Sequence, residues 1–428
     1  MAGPLRVLPA RGPLAGSLRV PGDKSIAHRA LILNAVARGT ARLSGLPGGE
    51  DVASTARALG CLGVAITETD SGGLLVEGAA MALSKPESAL DCGNSGTTMR
   101  LLAGVLAGQP FSSTLDGDGS LRKRPMQRVA TPLKAMGARI TTSDGYAPIV
   151  LDPAAALHGL PGPFEVGSAQ VKSAILLAAL QARGPTCISQ PLPSRDHTER
   201  MLRAMGVAVE CDGDQIVLVG PALPLSVDVD VCGDISSAAF FVVAASLVAG
   251  SDVRLERVGL NPTRSGFLSI LSRMGADLEV VEEGHSGGEP FGSIRVRSAD
   301  LRATDITAEE VPAAIDELPV LMVAAAGAEG VTRISGAAEL RMKESDRIST
   351  MAALLGGLGI GVAEHADGLE IRGGKLEGGS VATAGDHRVV MSAAVAALVC
   401  NGYVDIEDPG SAAVSYPEFF EHLDKLRS

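Results

Sequence analysis

Tryptophan is absent from the 428 residues, and aromatic residues make up only 3% of them. That leaves little to stack on bases or sugar rings, so stacking is not expected to dominate recognition. The six cysteines (Cys61, Cys92, Cys187, Cys211, Cys232, Cys400) are scattered, with no C-x-x-C and no His at ligand spacing. A zinc ribbon or disulfide framework is thereby excluded, and the cysteines read as buried small hydrophobes in a reducing compartment. There is no H-E-x-x-H and no acidic metal cluster, so neither a metal nor another cofactor is expected. The longest apolar run, Ala238 to Gly250, is interrupted by Ser246 and is too short to span a bilayer. Met1 to Arg19 contains no continuous apolar stretch of the signal-peptide kind. A soluble, cytoplasmic protein is expected. Positive charge is the scarcer sign: 37 Lys and Arg against 49 Asp and Glu give a net charge of -12. This argues against nucleic acid or an anionic membrane as the main partner.

What is abundant is repetition. A Gly/Asp/Ser-rich start followed by an Ala/Val/Leu-rich helical run occurs at Gly22-Asp23-Lys24-Ser25, Gly93-Asn94-Ser95-Gly96-Thr97 and Gly167-Ser168-Ala169-Gln170. It returns at Gly233-Asp234-Ile235-Ser236-Ser237, more loosely at Ile315-Asp316-Glu317, and at Gly385-Asp386-His387-Arg388. In phase with it, a second helix ends in Leu/Met-Gly before a β-branched run, at Gly63, Gly137, Gly206, Gly275 and Gly359. Each such Gly suits a helix C′ position with φ > 0. A last unit starts at Tyr416-Pro417-Glu418 and runs out at the C-terminus. The chain is longer than one core usually organises, and six units divide into two α/β lobes of three. We expect an N-terminal lobe over 21–232. Residues 1–20 and 233–428 form the C-terminal lobe, with Leu5 to Val20 as a strand closing it. Two crossings near Pro21 and Gly233 would then flank a cleft that closes on its ligand.

The repeat starts are where chemistry belongs. Asp51, Asp196, Asp234 and Ser345 read as helix caps worth about 1 kcal/mol each. Cations there oppose the helix dipole, yet Lys24 with Arg29, Lys123 with Arg124, Arg195, Arg264, Lys343 with Arg347, and Arg388 all stand at such starts. They are either solvated surface charge or an anion-binding set, and their recurrence favours the latter. Gly22-Asp23-Lys24-Ser25 lacks the upstream Gly of a P-loop, and Gly117-Asp118-Gly119 has Arg122 where a dinucleotide fingerprint needs Gly. The ligand is therefore expected to be a small polyanion held by Arg and Lys. Asp316-Glu317 interrupts an apolar run, as a cap or as a general base. Glu344, between Lys343 and Arg347, is an acid/base candidate or an ion-pair partner.

These residues, in order from end to end, resemble the 5-enolpyruvylshikimate-3-phosphate (EPSP) synthase family. The resemblance rests on Gly22-Asp23-Lys24-Ser25-x-x-His28-Arg29, Gly93-Asn94-Ser95-Gly96-Thr97, Lys123-Arg124-Pro125-Met126 and Ser168-Ala169-Gln170. It continues through Asp316-Glu317, Leu340-Arg341-Met342-Lys343-Glu344-Ser345-Asp346-Arg347 and Gly385-Asp386-His387-Arg388. It implies an α/β fold of two lobes, each three βαβαββ repeats in an inside-out α/β barrel, with the active site in the inter-lobe cleft. It also implies a monomer that joins phosphoenolpyruvate to shikimate 3-phosphate. On that resemblance Lys24, Ser25, Arg29, Ser168, Ala169, Gln170 and Lys343 would hold shikimate 3-phosphate. Gly96, Arg124, Arg347 and Arg388 would hold phosphoenolpyruvate, with Lys24 reaching it too and Asn94 and Thr97 beside them. Asp316 would deprotonate the 5-hydroxyl, and Glu344 or Lys24 would protonate the C3 methylene.

The chain departs from the common pattern at three points. Ala169 replaces a second Ser, Glu339 an Asn, and Val414 a Lys that contacts phosphoenolpyruvate, for which Arg195 is a candidate substitute. Together with Gly22-Asp23-Lys24, Ser168-Ala169-Gln170-Val171-Lys172, Arg195-x-His197-x-Glu199 and Asn261-Pro262-Thr263-Arg264, these resemble the glyphosate-tolerant bacterial class. Gly96 leaves room that a methyl group fills in some strongly tolerant members, so partial tolerance is expected. Two alternatives stand beside this reading: a transferase acting on UDP-N-acetylglucosamine, and a non-catalytic anion-binding protein on the same scaffold. The first usually carries Lys-Asn in place of Lys24-Ser25 and a loop Cys that Asp116 to Pro125 lacks.

Overall fold

The computed structural model describes residues 3–70 and 72–427; Met1, Ala2, Ser71 and Ser428, which fall in the expected lobe ranges, lie outside the described residues. The chain forms two compact units, Gly22–Cys232 with His285–Glu289, and Met1–Pro21 with Gly233–Gly284 and Pro290–Ser428.

In the unit built on Gly22–Cys232, the middle repeat shows the pattern most simply. Strand Leu90–Asp91 leads into helix Gly96–Leu106, strand Ser113–Asp116, helix Gln127–Ala135 and the hairpin Arg139–Ser143 with Tyr146–Asp152. The two strands flanking the first helix pair in parallel, and the hairpin adds antiparallel partners. A helical crossover joining parallel neighbours is what a βαβ unit requires. The third repeat repeats this order from Phe164–Glu165 to Gln215–Gly220. The first is discontinuous: its leading strand is Val229–Asp230, which returns from the unit's end to pair in parallel with Arg38–Ser44.

The other unit is closed the same way. Ala15–Leu18 pairs in parallel with Asp252–Gly259 and so leads the repeat of helix Ile235–Leu247. The last repeat lacks a terminal hairpin, and Leu5–Val7 pairs antiparallel with Val404–Ile406 in its place. The expected single strand over Leu5 to Val20 is thus two strands serving two sheets. Pro9 and Pro13 lie between them, and each lacks the N–H that a continuous ladder needs. Among the described residues the strands form six separate sheets rather than one hydrogen-bonded barrel.

The first helix of each repeat is buried on all sides. Every residue of Ile235–Leu247 except Leu247 is buried, which is why its sequence is apolar all round rather than striped. Such helices pack closely: a Cβ at Gly104 would lie 2.2 Å from the Ala174 carbonyl oxygen of the neighbouring helix Ala169–Ala179. The second helices bury one face and end as expected, Gly63, Gly137, Gly206, Gly275 and Gly359 all having φ between 82° and 94°. The cysteines follow expectation only in part. Cys92, Cys232 and Cys400 are buried, but Cys61, at the last position of a surface helix, and Cys211, on an edge strand, are exposed, and Cys187 is half-buried.

Candidate active site

The repeats place the first residues of their apolar helices at the ends of parallel strands, and the sequence-predicted residues gather there in two groups, one in each unit. In the first group, Asp23 caps helix Lys24–Val36 by accepting the Ile26 N–H. Lys24 opens that helix and pairs with Asp51; Asp51 is therefore a counter-ion inside its own helix, whose N-cap is Gly49. One turn on, Arg29 is buried. It donates from Nη1 to the Ser25 carbonyl (2.9 Å), from Nε to Thr198 Oγ1 (2.8 Å) and from Nη2 to Ser173 Oγ (2.8 Å). Burial above all, opposed by Glu199 and reinforced by the neighbouring charge of Arg195, brings Arg29 down to about 10. At neutral pH it stays charged.

Beside it, Ser95 caps helix Gly96–Leu106 by accepting the Thr98 N–H. Arg124 donates to Asn94 Oδ1 at 2.6 Å. Gln170 donates to Thr97 Oγ1 (2.9 Å) and accepts from Arg100 Nη1 (2.5 Å). Ser168 takes the N-cap position of Ala169–Ala179 with no side-chain cap bond, and Ala169 begins that helix. Arg195 is half-buried on the loop before His197–Ala204, one residue ahead of the cap position held by Asp196. The carboxylate of Asp196 accepts from Arg200 Nε rather than capping the helix.

Spacing alone does not mark Arg100 as part of this group. It is a buried cation in an apolar helix, pushed down to about 10 by burial and then by the charges of Arg128 and Arg124. A Cβ on Gly96 would lie 2.8 Å from Arg100 Nη1 and 3.6 Å from Arg124 Nη1. The one available signal was an Arg in a run that is otherwise Met and Leu.

The second group centres on Asp316, between the short helix Val311–Ala314 and helix Leu318–Gly327. Four cations from separate segments stand at ion-pair distance from its carboxylate. Arg347 Nη1 is 3.7 Å away, Arg388 Nη2 3.9 Å, and Lys343 Nζ and Arg264 Nη1 4.0 Å each. Arg388 also donates to the Asp316 carbonyl (2.8 Å). Behind this ring the buried Glu317 accepts from Ser236 and lies 3.8 Å from Arg264. Asp234, as expected, caps helix Ile235–Leu247, accepting the Ser236 N–H.

Arg347 itself is held from behind. Its Nε donates to Asp386 (2.8 Å) and its Nη2 to Glu344 (2.6 Å). Burial works against the Arg347 charge, but Asp386 and Glu344 overcome it and hold its pKa above the ordinary value. Desolvation raises Asp386 and Glu344, yet Arg347 holds both below the usual carboxylate range. Glu344 is exposed, and a low pKa suits an anion better than a ready proton donor. Ser345, expected as a cap, donates to Asp386, and the cap of helix Arg347–Gly357 is Asp346. His387 is brought down to about 4 by burial and then by Arg388, so it is neutral at pH 7. Val414 is exposed at the end of the short 3-10 helix Pro409–Val414, so its side chain supplies no cation at the position where the common pattern has a Lys.

Five βαβαββ repeats and a sixth whose hairpin is replaced by the strand Leu5–Val7, several of them presenting Lys or Arg at a helix start, make up the enolpyruvyl transferase fold. The chain matches the solved enolpyruvyl transferase NikO of Streptomyces tendae over 100% of its own length and 98% of that chain, with a TM-score of 0.77. At 20% identity this is a likeness of fold alone. The model of one family, EPSP synthase (3-phosphoshikimate 1-carboxyvinyltransferase), matches residues 8–423. A 3-phosphoshikimate 1-carboxyvinyltransferase of Acidithiobacillus ferrooxidans is 52% identical over 95% of this chain and 94% of its own. One from Halorhodospira halophila is 51% identical over 98% and 95%. The solved EPSP synthase of Acinetobacter baumannii superimposes with a TM-score of 0.93 at 44% identity, covering 99% of this chain and 98% of that one. The chain belongs to the EPSP synthase family.

Proposed function

We propose that the two groups of residues divide carboxyvinyl transfer from phosphoenolpyruvate to 3-phosphoshikimate, the family's step in the shikimate pathway, as follows. Lys24, Ser25, Arg29, Ser168, Ala169, Gln170, Arg195 and Lys343 hold shikimate 3-phosphate. Gly96, Arg124, Arg347 and Arg388, with Lys24, hold phosphoenolpyruvate, while Asn94 and Thr97 fix Arg124 and Gln170. Asp316 takes the proton of the 5-hydroxyl as that oxygen bonds to C2. Lys24, or Glu344 despite its lowered pKa, delivers a proton to C3, giving a tetrahedral intermediate that still carries phosphate. Loss of a C3 proton and cleavage of the bond between C2 and the phosphate oxygen re-form the double bond and release phosphate, while the new bond from C2 to the 5-oxygen remains. Preorganised cations stabilise the charges that develop on the way. The observation that carries this reading is the Asp316 carboxylate within 4.0 Å of Arg264, Lys343, Arg347 and Arg388: one base amid charges suited to two anionic substrates. Residues 21–232, and 1–20 with 233–428, are read as the two lobes, supported by the compact units described above. A monomer working in the cytoplasm fits this role. Phosphate release by the purified protein should require both phosphoenolpyruvate and shikimate 3-phosphate. Release with UDP-N-acetylglucosamine instead would overturn the substrate assignment.

Partial tolerance of glyphosate belongs to the same reading: it rests on the motifs shared with the tolerant class, and Gly96 is the position that limits it. Gly96→Ala places a methyl group within 2.8 Å of Arg100 Nη1, the movable end of a side chain. Arg100 has to shift, which strains its bond to Gln170. The expected result is inhibition by glyphosate weakened about tenfold or more, with the KM for phosphoenolpyruvate raised no more than about threefold. Steady-state inhibition curves for the two proteins check this; equal inhibition constants would sink it.

A further inference from the structure

Behind Arg29 lies an ion pair that the reaction does not use. Lys172 and Glu199 have side chains 0% and 1% exposed, with Nζ 2.6 Å from Oε1. Desolvating two charges costs about as much as their attraction returns, so a well-packed apolar pair of the same size would serve stability as well. The contacts indicate another use. The ammonium group of Lys172 also donates to Gln190 Oε1 (3.0 Å) and to the Ser194 carbonyl (3.3 Å), while Gln190 donates to Ser194 Oγ (2.5 Å). Ser194 immediately precedes Arg195. One residue along each helix, Ser173 and Thr198 meet at 2.7 Å and accept from Arg29 Nη2 and Nε. Ion pair and hydroxyl pair are therefore successive rungs between helices Ala169–Ala179 and His197–Ala204. The one rung tethers the loop of Arg195, and the other orients Arg29. Two cations near enough to repel each other, as Arg29 and Arg195 are, need such bracing to stay close when no anion lies between them.

We propose that Lys172 and Glu199 are positioning residues that hold Arg195 and Arg29 on a single anion, the phosphate group of shikimate 3-phosphate. This rests on the assignment of those two arginines to that substrate.

The test is the double variant Lys172→Met/Glu199→Leu, which removes both charges and leaves neither unpaired. Its melting temperature should stay within about 5 °C of wild type. Its KM for shikimate 3-phosphate should rise about tenfold, with kcat and the KM for phosphoenolpyruvate within about twofold. A folded double variant with the wild-type KM overturns the proposal, because a purely structural pair would be replaced without kinetic effect. Should the double variant not fold, Gln190→Leu removes one acceptor of Lys172 and leaves the ion pair. It should raise the same KM about threefold, and an unchanged value is again fatal. Arg195→Ala separates the two levels. If it leaves the KM for shikimate 3-phosphate unchanged, the substrate assignment has failed. If it raises that KM while the double variant does not, only the positioning role has.

Discussion

Asp316→Asn should lower kcat by about 10²- to 10⁴-fold, the range that a positioned general base contributes, without raising the KM of either substrate. The second half of that expectation follows from the charges. In the wild-type protein one carboxylate stands amid Arg264, Lys343, Arg347 and Arg388 at 3.7–4.0 Å. An amide of the same shape leaves those four cations uncompensated on that side, and anionic substrates then bind as well as before or more tightly. A fall in kcat with KM unchanged or lower is the mark of a group that acts in the transition state and not in binding. Steady-state kinetics with each substrate varied in turn check it. A tenfold rise in KM at nearly normal kcat would make Asp316 a binding residue and leave the base to be found elsewhere. Stability should fall as well, since the carboxylate screens four like charges from one another.

The sequence announces the frame of this site more plainly than its supports. A repeat is legible because each turn of the pattern leaves a local mark: a C′ glycine at positive φ, as at Gly63 or Gly359, and a helix apolar on all sides, as at Ile235–Leu247. The candidate residues are legible for a related reason: a cation at a helix start is locally unfavourable and so calls for an anion. The partners that hold those residues leave no such mark. Arg29 donates to Ser173 and Thr198, 144 and 169 residues away, and nothing in local spacing couples them. Asp51 has the look of a cap but serves Lys24; Asp196 and Ser345 likewise serve Arg200 and Asp386. Short polar side chains at helix starts can cap or pair, and tertiary neighbours decide which. Arg100 lies within a helix whose neighbours are apolar, and its purpose shows only where Gly96 and Gln170 meet it.

Those hidden supports set the second large expectation, at Asp386. Its carboxylate is fully buried and receives Arg347 Nε at 2.8 Å and Nη2 at 3.3 Å, the Ser345 hydroxyl at 3.0 Å and the Arg388 N–H at 2.9 Å. It thus fixes the side chain of Arg347 and the helix start at Arg388, the two arginines proposed above to hold phosphoenolpyruvate. Asp386→Ala leaves the guanidinium of Arg347 buried with the exposed Glu344 as its nearest remaining counter-charge, and breaking a buried pair in this way costs about 3–5 kcal/mol. The melting temperature should fall by several degrees, and the KM for phosphoenolpyruvate should rise about tenfold or more as Arg347 and Arg388 lose their registration. The stability contribution has a pH dependence of its own. Desolvation raises the Asp386 carboxyl, but Arg347 holds it below the usual range, so its contribution to stability is in full force above the unfolded-state value of about 3.9. As pH falls through the lower folded-state value, that contribution is lost. Wild-type protein should therefore lose stability steeply below about pH 4, with Glu344 adding to the loss because Arg347 lowers it too. Asp386→Asn cannot titrate there; denaturant unfolding between about pH 6 and pH 3 should show a shallower acid limb converging on the wild-type curve at its low end. Parallel curves over that window would mean that Asp386 does not carry the acid sensitivity. The loss of phosphoenolpyruvate affinity in the variant should accompany the stability loss at neutral pH, where Arg347 remains charged but is no longer held in place.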